Sequence, residues 1–400
     1  MSMQIAMIGQ KGIPATIGGV ERHVHELSRR LAERGFAITV YARAWYTRRR
    51  EEIIPWVKVV HLPSIHTKHL DTITHTLIAT LHAMRAGVDI IHYHGVGPSL
   101  WSWLPRLLAP KIKVVATFHS IDRKHEKWGV GARLALRLGE WMACHGAHQT
   151  ITVSTTIRQY ARDVYDKDTT YVPNAVPLYE KTSETKELAR WNLTPEKYIL
   201  MVSRLIPHKG AHYLTEAYRA LQLAHPELTR DLKLAIVGHG YYTDAYVQWL
   251  RNKSATNPNI VFAGAQSGEA LAELFAHARL MVHPSDKEGM PITVLEGMSY
   301  GLPVLLSDIP EHAELVDNPE YLFAYGQVRS LVDRLKNLLR KPAAELGAEG
   351  QKNRAKIERH YTWERVLEQL IKVYEETQSS AKSNPTRKQK NIEVFKHSNI

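Results

Sequence analysis

What most constrains this chain is an alternation, run through twice, of short apolar β-rich segments with helical patterns. In the first half the strand candidates are Ile5–Gly9, Ala37–Ala42, Val57–Leu62, Asp89–His92, Lys113–Phe118 and Gln149–Val153. Between the first two, Val20, Val24, Leu27 and Leu31 fall on one helical face, which stops at Gly35. The pattern restarts with Tyr198–Ser203, Lys233–Gly238, Asn259–Ala263, Leu280–His283 and Pro303–Leu306. Such alternation predicts parallel sheets with crossover helices, and each half has the size of one doubly wound domain. Val172–Lys197, punctuated by Pro173, Pro177 and Pro195, reads as the linker between them. Thr362 is expected to cap a last helix running to about Gln378, with Trp363, Val366, Leu367, Leu370 and Tyr374 on one side. The polar, basic stretch 379–400 is expected to be disordered.

Composition narrows the function classes. One cysteine, Cys144, excludes an internal disulfide framework and fits a reducing compartment. The first nine residues lack the basic start and apolar run of a signal peptide, and no run of about 18 apolar residues occurs. The expectation is a cytoplasmic protein, or one peripheral on the inner face of the cell membrane. Net charge is +10 over residues 1–178, −2 over 179–378 and +4 over 379–400. A basic first half implies an anionic partner: phospholipid, a phosphorylated acceptor or nucleic acid, unless it is simply a solvated surface. Nucleic acid fits least, since no helix-turn-helix, zinc-finger or RNP pattern accompanies the charge. His-Glu-x-x-His, paired cysteines and Gly-x-Ser-x-Gly are all missing, so no metal site is expected and no serine-hydrolase elbow.

Two open α/β domains bind ligands at the carboxyl ends of their strands, so chemistry is sought in the loops there. After His283 the chain runs Pro284-Ser285-Asp286-Lys287-Glu288-Gly289-Met290-Pro291-Ile292, with Glu296 further on. Pro291 is expected at the first helical position, Gly289 allows close backbone approach, and the new helix's N–H groups favour an anion. A carboxylate such as Glu288 suits sugar hydroxyls, and Glu296 is placed to reach a ribose. By itself the Glu-x7-Glu spacing is common and would equally describe a surface turn. A second loop, Ser203-Arg204-Leu205 to Lys209-Gly210, presents two cations, which could also be plain surface charges at helix ends. A third, Gly18-Gly19 before Val20-Glu21-Arg22-His23, brings backbone to a helix start. Gly238 follows another strand, and His119 ends one, as do His92 and His94.

Taken in their order along the chain, from Gly18-Gly19 through Arg204 and Lys209 to Glu288 and Glu296, the segments resemble the retaining GT-B glycosyltransferases of family 4, in particular bacterial polysaccharide (rhamnosyltransferase-like) members. The resemblance implies an α/β GT-B fold: two doubly wound Rossmann-like domains facing across a cleft, with a C-terminal helix crossing back. Residues 1–172 would be the acceptor-side domain, 173–360 the nucleotide-sugar donor domain, 361–378 the returning helix and 379–400 the tail. It also implies a nucleotide-diphosphate sugar as donor, retention of configuration, and neither metal nor other cofactor. Arg204 and Lys209 would stabilise the leaving diphosphate, where negative charge builds up. Glu288 would orient the donor sugar and His119 support it from the opposite domain. Gly18, Gly19, Gly238, Gly289, Met290, Pro291, Ile292 and Glu296 would line the donor. Val172-Pro173-Asn174-Ala175-Val176-Pro177 departs from the family's Pro-Asn-Gly-Val-Asp, so a hinge is expected there but no ligand contact.

The acceptor implied is a lipid-linked or other glycan. Arg48–Arg50 and the run Leu100–Leu108, with Trp101 and Trp103, suit an anionic membrane surface, while a buried helix is the alternative for that run. A nucleotide-sugar epimerase, a phosphorylase, or a non-catalytic basic scaffold would share the fold.

Overall fold

The structure, a computed structural model, describes residues 2–15, 18–47, 54–67, 70–124, 129–240 and 242–379. Seven strands form the first sheet: β1 (Gln4–Ile8), β2 (Ala37–Arg43), β3 (Val57–Leu62), β4 (Ile90–His94), β5 (Lys113–Phe118), β6 (Gln149–Thr152) and β7 (Thr170–Tyr171). Its order is β3-β2-β1-β4-β5-β6-β7. The second sheet holds β8 (Tyr198–Val202), β9 (Lys233–Val237), β10 (Ile260–Gly264), β11 (Leu280–His283), β12 (Val304–Ser307) and β13 (Leu322–Phe323), ordered β10-β9-β8-β11-β12-β13. Every pairing is parallel, with Ile5 opposite both Ile38 and Ile90. All residues of β4, β8, β11 and β12 are buried. Helices therefore cover both faces, and the strands read as continuous apolar runs rather than alternating ones.

Both sheets reverse direction beside their first strand, at β1/β4 and at β8/β11, which opens a crevice at the strands' carboxyl ends. The turns there are close. Gly9 has φ 125°, and a Cβ on it would lie 2.5 Å from the His94 carbonyl oxygen.

The Gly19–Glu33 helix puts Val24, Leu27 and Leu31 into a core with Ile5, Val40 and Ile90, which the Trp363–Ser379 helix completes with Trp363, Val366, Leu370 and Tyr374. Ser379 is thus the last helical residue rather than the first of the tail, and residues 380–400 lie outside the described residues. Thr362 forms a parallel bridge with Val176.

The Val172–Lys197 segment is corrected from a linker to a packed strap. Val172, Asn174, Ala175 and Val176 are buried, and Leu188 and Leu193 join the second half's core beside Phe275 and Leu274. Its prolines and charges mask the apolar residues that seat it. Glu180–Lys186 and Thr194–Lys197 are the stretches of the segment that stay mostly exposed.

Candidate active site

The loop after β11 leads into the Ile292–Ser299 helix. Pro291 stands just before that helix, not in its first turn as expected. Its ψ of 102° is extended, while its carbonyl already accepts from the amides of Val294 and Leu295, as a capping residue's does. Gly289 is required here, because a Cβ would come within 1.7 Å of the His119 carbonyl oxygen of the other half. Asn174 Nδ2 donates to the Met290 carbonyl at 2.9 Å, while the Met290 side chain is buried in the core. Ile292 is half-buried and lies 3.7 Å from where a Gly19 Cβ would be, so the first half's Gly18-Gly19 loop rests on this helix start.

Glu288 was expected to face sugar hydroxyls from a loop at a strand end. Its side chain is only 8% exposed, and one oxygen serves two partners: Lys209 Nζ at 2.5 Å and His283 Nε2 at 2.8 Å. Burial alone would raise this carboxyl, but the Lys209 charge and the His283 hydrogen bond outweigh it and hold it well below the usual range. Behind His283 lies His312, which burial and the neighbouring His283 depress to about 3, its Nδ1 2.9 Å from Ser307 Oγ. Lys209 and Glu288 are therefore one unit.

Arg204 is exposed and makes no ion pair among the described residues. It sits near enough to Lys11 of the first half to help lower that ammonium, whose shift comes first from burial. Gly238, at φ 138°, lets the loop after β9 close on the Arg204 loop, since a Cβ would meet the Ser203 carbonyl oxygen at 1.8 Å.

Glu296 is buried and held by Arg22, whose Nη1 lies 3.2 Å from Oε2 and whose Nη2 bonds the other oxygen. Burial pushes the carboxyl up and Arg22 pulls it back. Among the missed residues are Lys11 and Arg22. Arg22 stands three positions past Gly19 at the start of a helix, a place where a cation reaches into a cleft, but nothing in the sequence marks Glu296 as its partner.

His119 is buried at the end of β5, its Nε2 3.2 Å from His94 Nδ1 and its ring 5.3 Å from that of His23. Burial, then the neighbouring imidazoles, keeps His119 and His94 well below the ordinary value, so both are neutral. His92 is structural, bridging Tyr374 Oη and Thr117 Oγ1 at 2.7 Å each.

Among the described residues, two groups bring potential ligand atoms within 4.8 Å: His23, His94 and His119, and His283, Glu288 and His312. In the second, Lys209 already supplies the carboxylate with a cation. Trp101 donates its Nε1 to the Ile73 carbonyl at 3.0 Å, and Leu104 and Pro105 are buried, whereas Trp103, Leu107 and Leu108 are exposed. Arg48–Arg50 lie outside the described residues. No helix among the described residues is long and apolar enough to cross a membrane.

Two doubly wound sheets whose strand-end loops meet across one cleft define the GT-B class. Residues 17–180 match Glycosyltransferase Family 4 and residues 183–359 match Glycosyl transferases group 1. The chain belongs to this group of GT-B glycosyltransferases and is a glycosyltransferase. It is 25% identical over 438 residues to glycogen synthase of Mycobacterium tuberculosis, covering 99% of both chains. To O-antigen chain mannosyltransferase C of Escherichia coli it is 23% identical over 386 residues, covering 93% of this chain and 98% of that one. The fold is shared with Anabaena HepE, solved with UDP and glucose, at a TM-score of 0.75 and 17% identity over 94% of this chain and all of that one.

Proposed function

We propose that this glycosyltransferase moves a hexosyl or deoxyhexosyl group, with retention and without a metal, from a nucleoside-diphosphate sugar to a lipid-linked glycan in bacterial surface-polysaccharide assembly. The observation that carries this reading is the cation pair at the ends of the β8 loop: Arg204, exposed to the cleft, and Lys209, fixed by Glu288. The donor domain, about 173–360, would hold the nucleotide, and residues 1–172 the acceptor, with the 361–378 segment returning to the first. HepE, with its UDP and glucose, and the O-antigen mannosyltransferase support the donor and acceptor classes.

In this mechanism the bond from the anomeric carbon to the diphosphate oxygen breaks as the bond to the acceptor oxygen forms on the same face. The diphosphate oxygen takes the acceptor's proton. Arg204, Lys209 and the N-terminal amides of the Ile292–Ser299 helix stabilise the charge that develops on the leaving group. Glu288 holds Lys209 with one oxygen and orients the donor sugar with the other. His119, neutral, offers the sugar a hydrogen bond from the opposite side. Glu296 shares its carboxylate between Arg22 and the ribose hydroxyls. Gly18 and Gly19 close over the donor, Gly238 leaves room for the nucleotide, and closure excludes water.

A thermal-shift panel with UDP, GDP and dTDP tests the donor class, since a ligand at 100 times its Kd adds about 2.7 kcal/mol. Arg204→Ala should melt like the wild type, its side chain being exposed and in no ion pair among the described residues, yet bind the preferred diphosphate about 1.5–3 kcal/mol more weakly. Unchanged affinity removes Arg204 from the site. Turnover should survive EDTA, and a product of inverted configuration, or a complete loss restored by Mg²⁺ or Mn²⁺, overturns the mechanism.

A further inference from the structure

The Val130–Trp141 helix carries its apolar residues on the wrong side for a core. Val130 is 86% and Leu134 68% exposed, and Leu138 and Trp141 are exposed as well. At about 100° per residue these four positions share an arc of about 80°. The opposite face is already occupied. Leu136 packs on the core that contains Val96, and a Cβ on Gly139 would meet the Val96 carbonyl oxygen at 2.3 Å. Glu140 is buried and accepts from Arg123 Nε at 2.9 Å, Tyr160 Oη at 2.8 Å and Tyr165 Oη. The helix is thus locked in rotation with its stripe outward.

A second apolar set adjoins it. Ser102 Oγ donates to the Met142 carbonyl at 2.9 Å, and Arg106 Nη1 to that of His145 at 3.0 Å, which ties the Trp103–Leu108 helix to the end of the first. From that helix Leu107, 68% exposed, Leu108 and Trp103 face outward. Scattered exposed leucines are ordinary, but four apolar residues on one face of a locked helix, with a second exposed set tied to its end, mark a docking surface.

Charge selects the partner. Arg133 and Arg137 flank the stripe and are exposed, while Glu140 on the same helix is buried and ion-paired to Arg123. A second copy docked symmetrically on this face would set arginines against arginines. An anionic bilayer satisfies both halves of the surface: the stripe enters the headgroup boundary, the arginines meet lipid phosphates, and the two tryptophans sit at the interface.

We propose that the outward face of the Val130–Trp141 helix, continued by Trp103, Leu107 and Leu108, docks the enzyme on an anionic lipid bilayer. The reading rests on the lipid-linked acceptor proposed above and deepens it. Val96 and Gly97, on which this helix sits, follow β4, the strand that ends in His94 beside His119. The membrane surface would therefore border the cleft, and an acceptor's lipid could stay in the bilayer while its sugar reaches the site.

The test is co-sedimentation of the full chain with phosphatidylcholine vesicles with and without phosphatidylglycerol. Wild type should bind the anionic vesicles, more weakly at high salt. Leu134→Gln with Leu138→Gln should bind them on the order of a hundredfold more weakly. Arg133→Ala with Arg137→Ala should bind on the order of tenfold more weakly and lose much of the salt dependence. Melting temperature and nucleotide binding should be unchanged in both, since these side chains are exposed. Wild-type affinity in the leucine variant, no anionic-vesicle binding by wild type, or a wild-type dimer that the leucine change dissociates would each overturn the proposal. Transfer to a detergent-solubilised polyprenyl-diphosphate glycan separates this from the acceptor reading. If that reaction proceeds while vesicle binding fails, only the docking surface falls. If binding holds and no lipid-linked glycan is used, the acceptor class falls.

Discussion

Replacing Glu288 with alanine should abolish measurable transfer and, in addition, destabilise the protein by about 3 kcal/mol or more. The two losses have one origin. Glu288 is buried against Lys209 and His283, so truncating it strands the Lys209 ammonium in a pocket with little water. Breaking one side of a buried ion pair costs more than the pair contributes, because the remaining charge is left without its compensation. The chemical loss follows from Lys209 no longer being held toward the diphosphate. Removing one preorganised group from a site where charge develops typically costs a hundredfold to a thousandfold in rate.

A double replacement separates the effects. Lys209→Met with Glu288→Leu removes both charges and fills similar volume, so its stability should return to within about 1 kcal/mol of wild type while transfer stays lost. Urea unfolding and product formation are the two readouts. A Glu288→Ala protein that melts like wild type would contradict the buried pair. A double variant with near-normal turnover would remove both residues from the proposed chemistry.

The eleven longer strands were legible because a parallel sheet flanked by helices leaves short runs rich in Val, Ile, Leu and Ala between helical patterns, fully buried in β8, β11 and β12 and looser in the edge strands β3 and β10. β7 and β13 were not, since two residues carry no period. In the site, the glycines and cations could be read one loop at a time, because each stands directly after a strand. Their pairings could not. Arg22 and Glu296 are 274 positions apart, and Lys209 and Glu288 are 79 apart. The first pair needs the two sheets to meet and the second needs β8 and β11 to lie side by side in one sheet, so Glu288 and Glu296 read as free carboxylates awaiting a sugar and turn out to be partnered. The same limit applies to the Val130–Trp141 helix. Its leucine spacing is that of a core helix, and which side faces out is decided by Gly139 and Glu140 meeting neighbours far along the chain.

Stability should start to fall on mild acidification, well above the pH at which carboxylates titrate. His23, His92 and His312 are buried, and burial is the first cause lowering them to about 4, about 3 and about 3, against 6.5 when exposed. Above about pH 6.5 both folded and unfolded chains hold these imidazoles neutral, so stability is level there. Below it the unfolded chain takes up protons that the native chain refuses. The unfolded state then binds more protons, and stability falls as pH drops, until the folded-state values near 3 to 4 are reached. Each histidine contributes a slope of about 1.4 kcal/mol per pH unit, so three give about 4 kcal/mol per unit. From about pH 6.5 to about pH 4 that slope removes about 10 kcal/mol, comparable to a typical total of about 5–15 kcal/mol. The experiment is urea unfolding, followed by circular dichroism, between about pH 5 and pH 8. His312→Gln should start less stable at neutral pH yet lose one histidine's share of the slope, whereas a merely damaged core would shift the curve without changing its gradient. Constant stability down to about pH 5 would mean that these imidazoles accept protons inside the fold. The neutral state assigned to His119, which shares its cluster with His23, would then have to be abandoned as well.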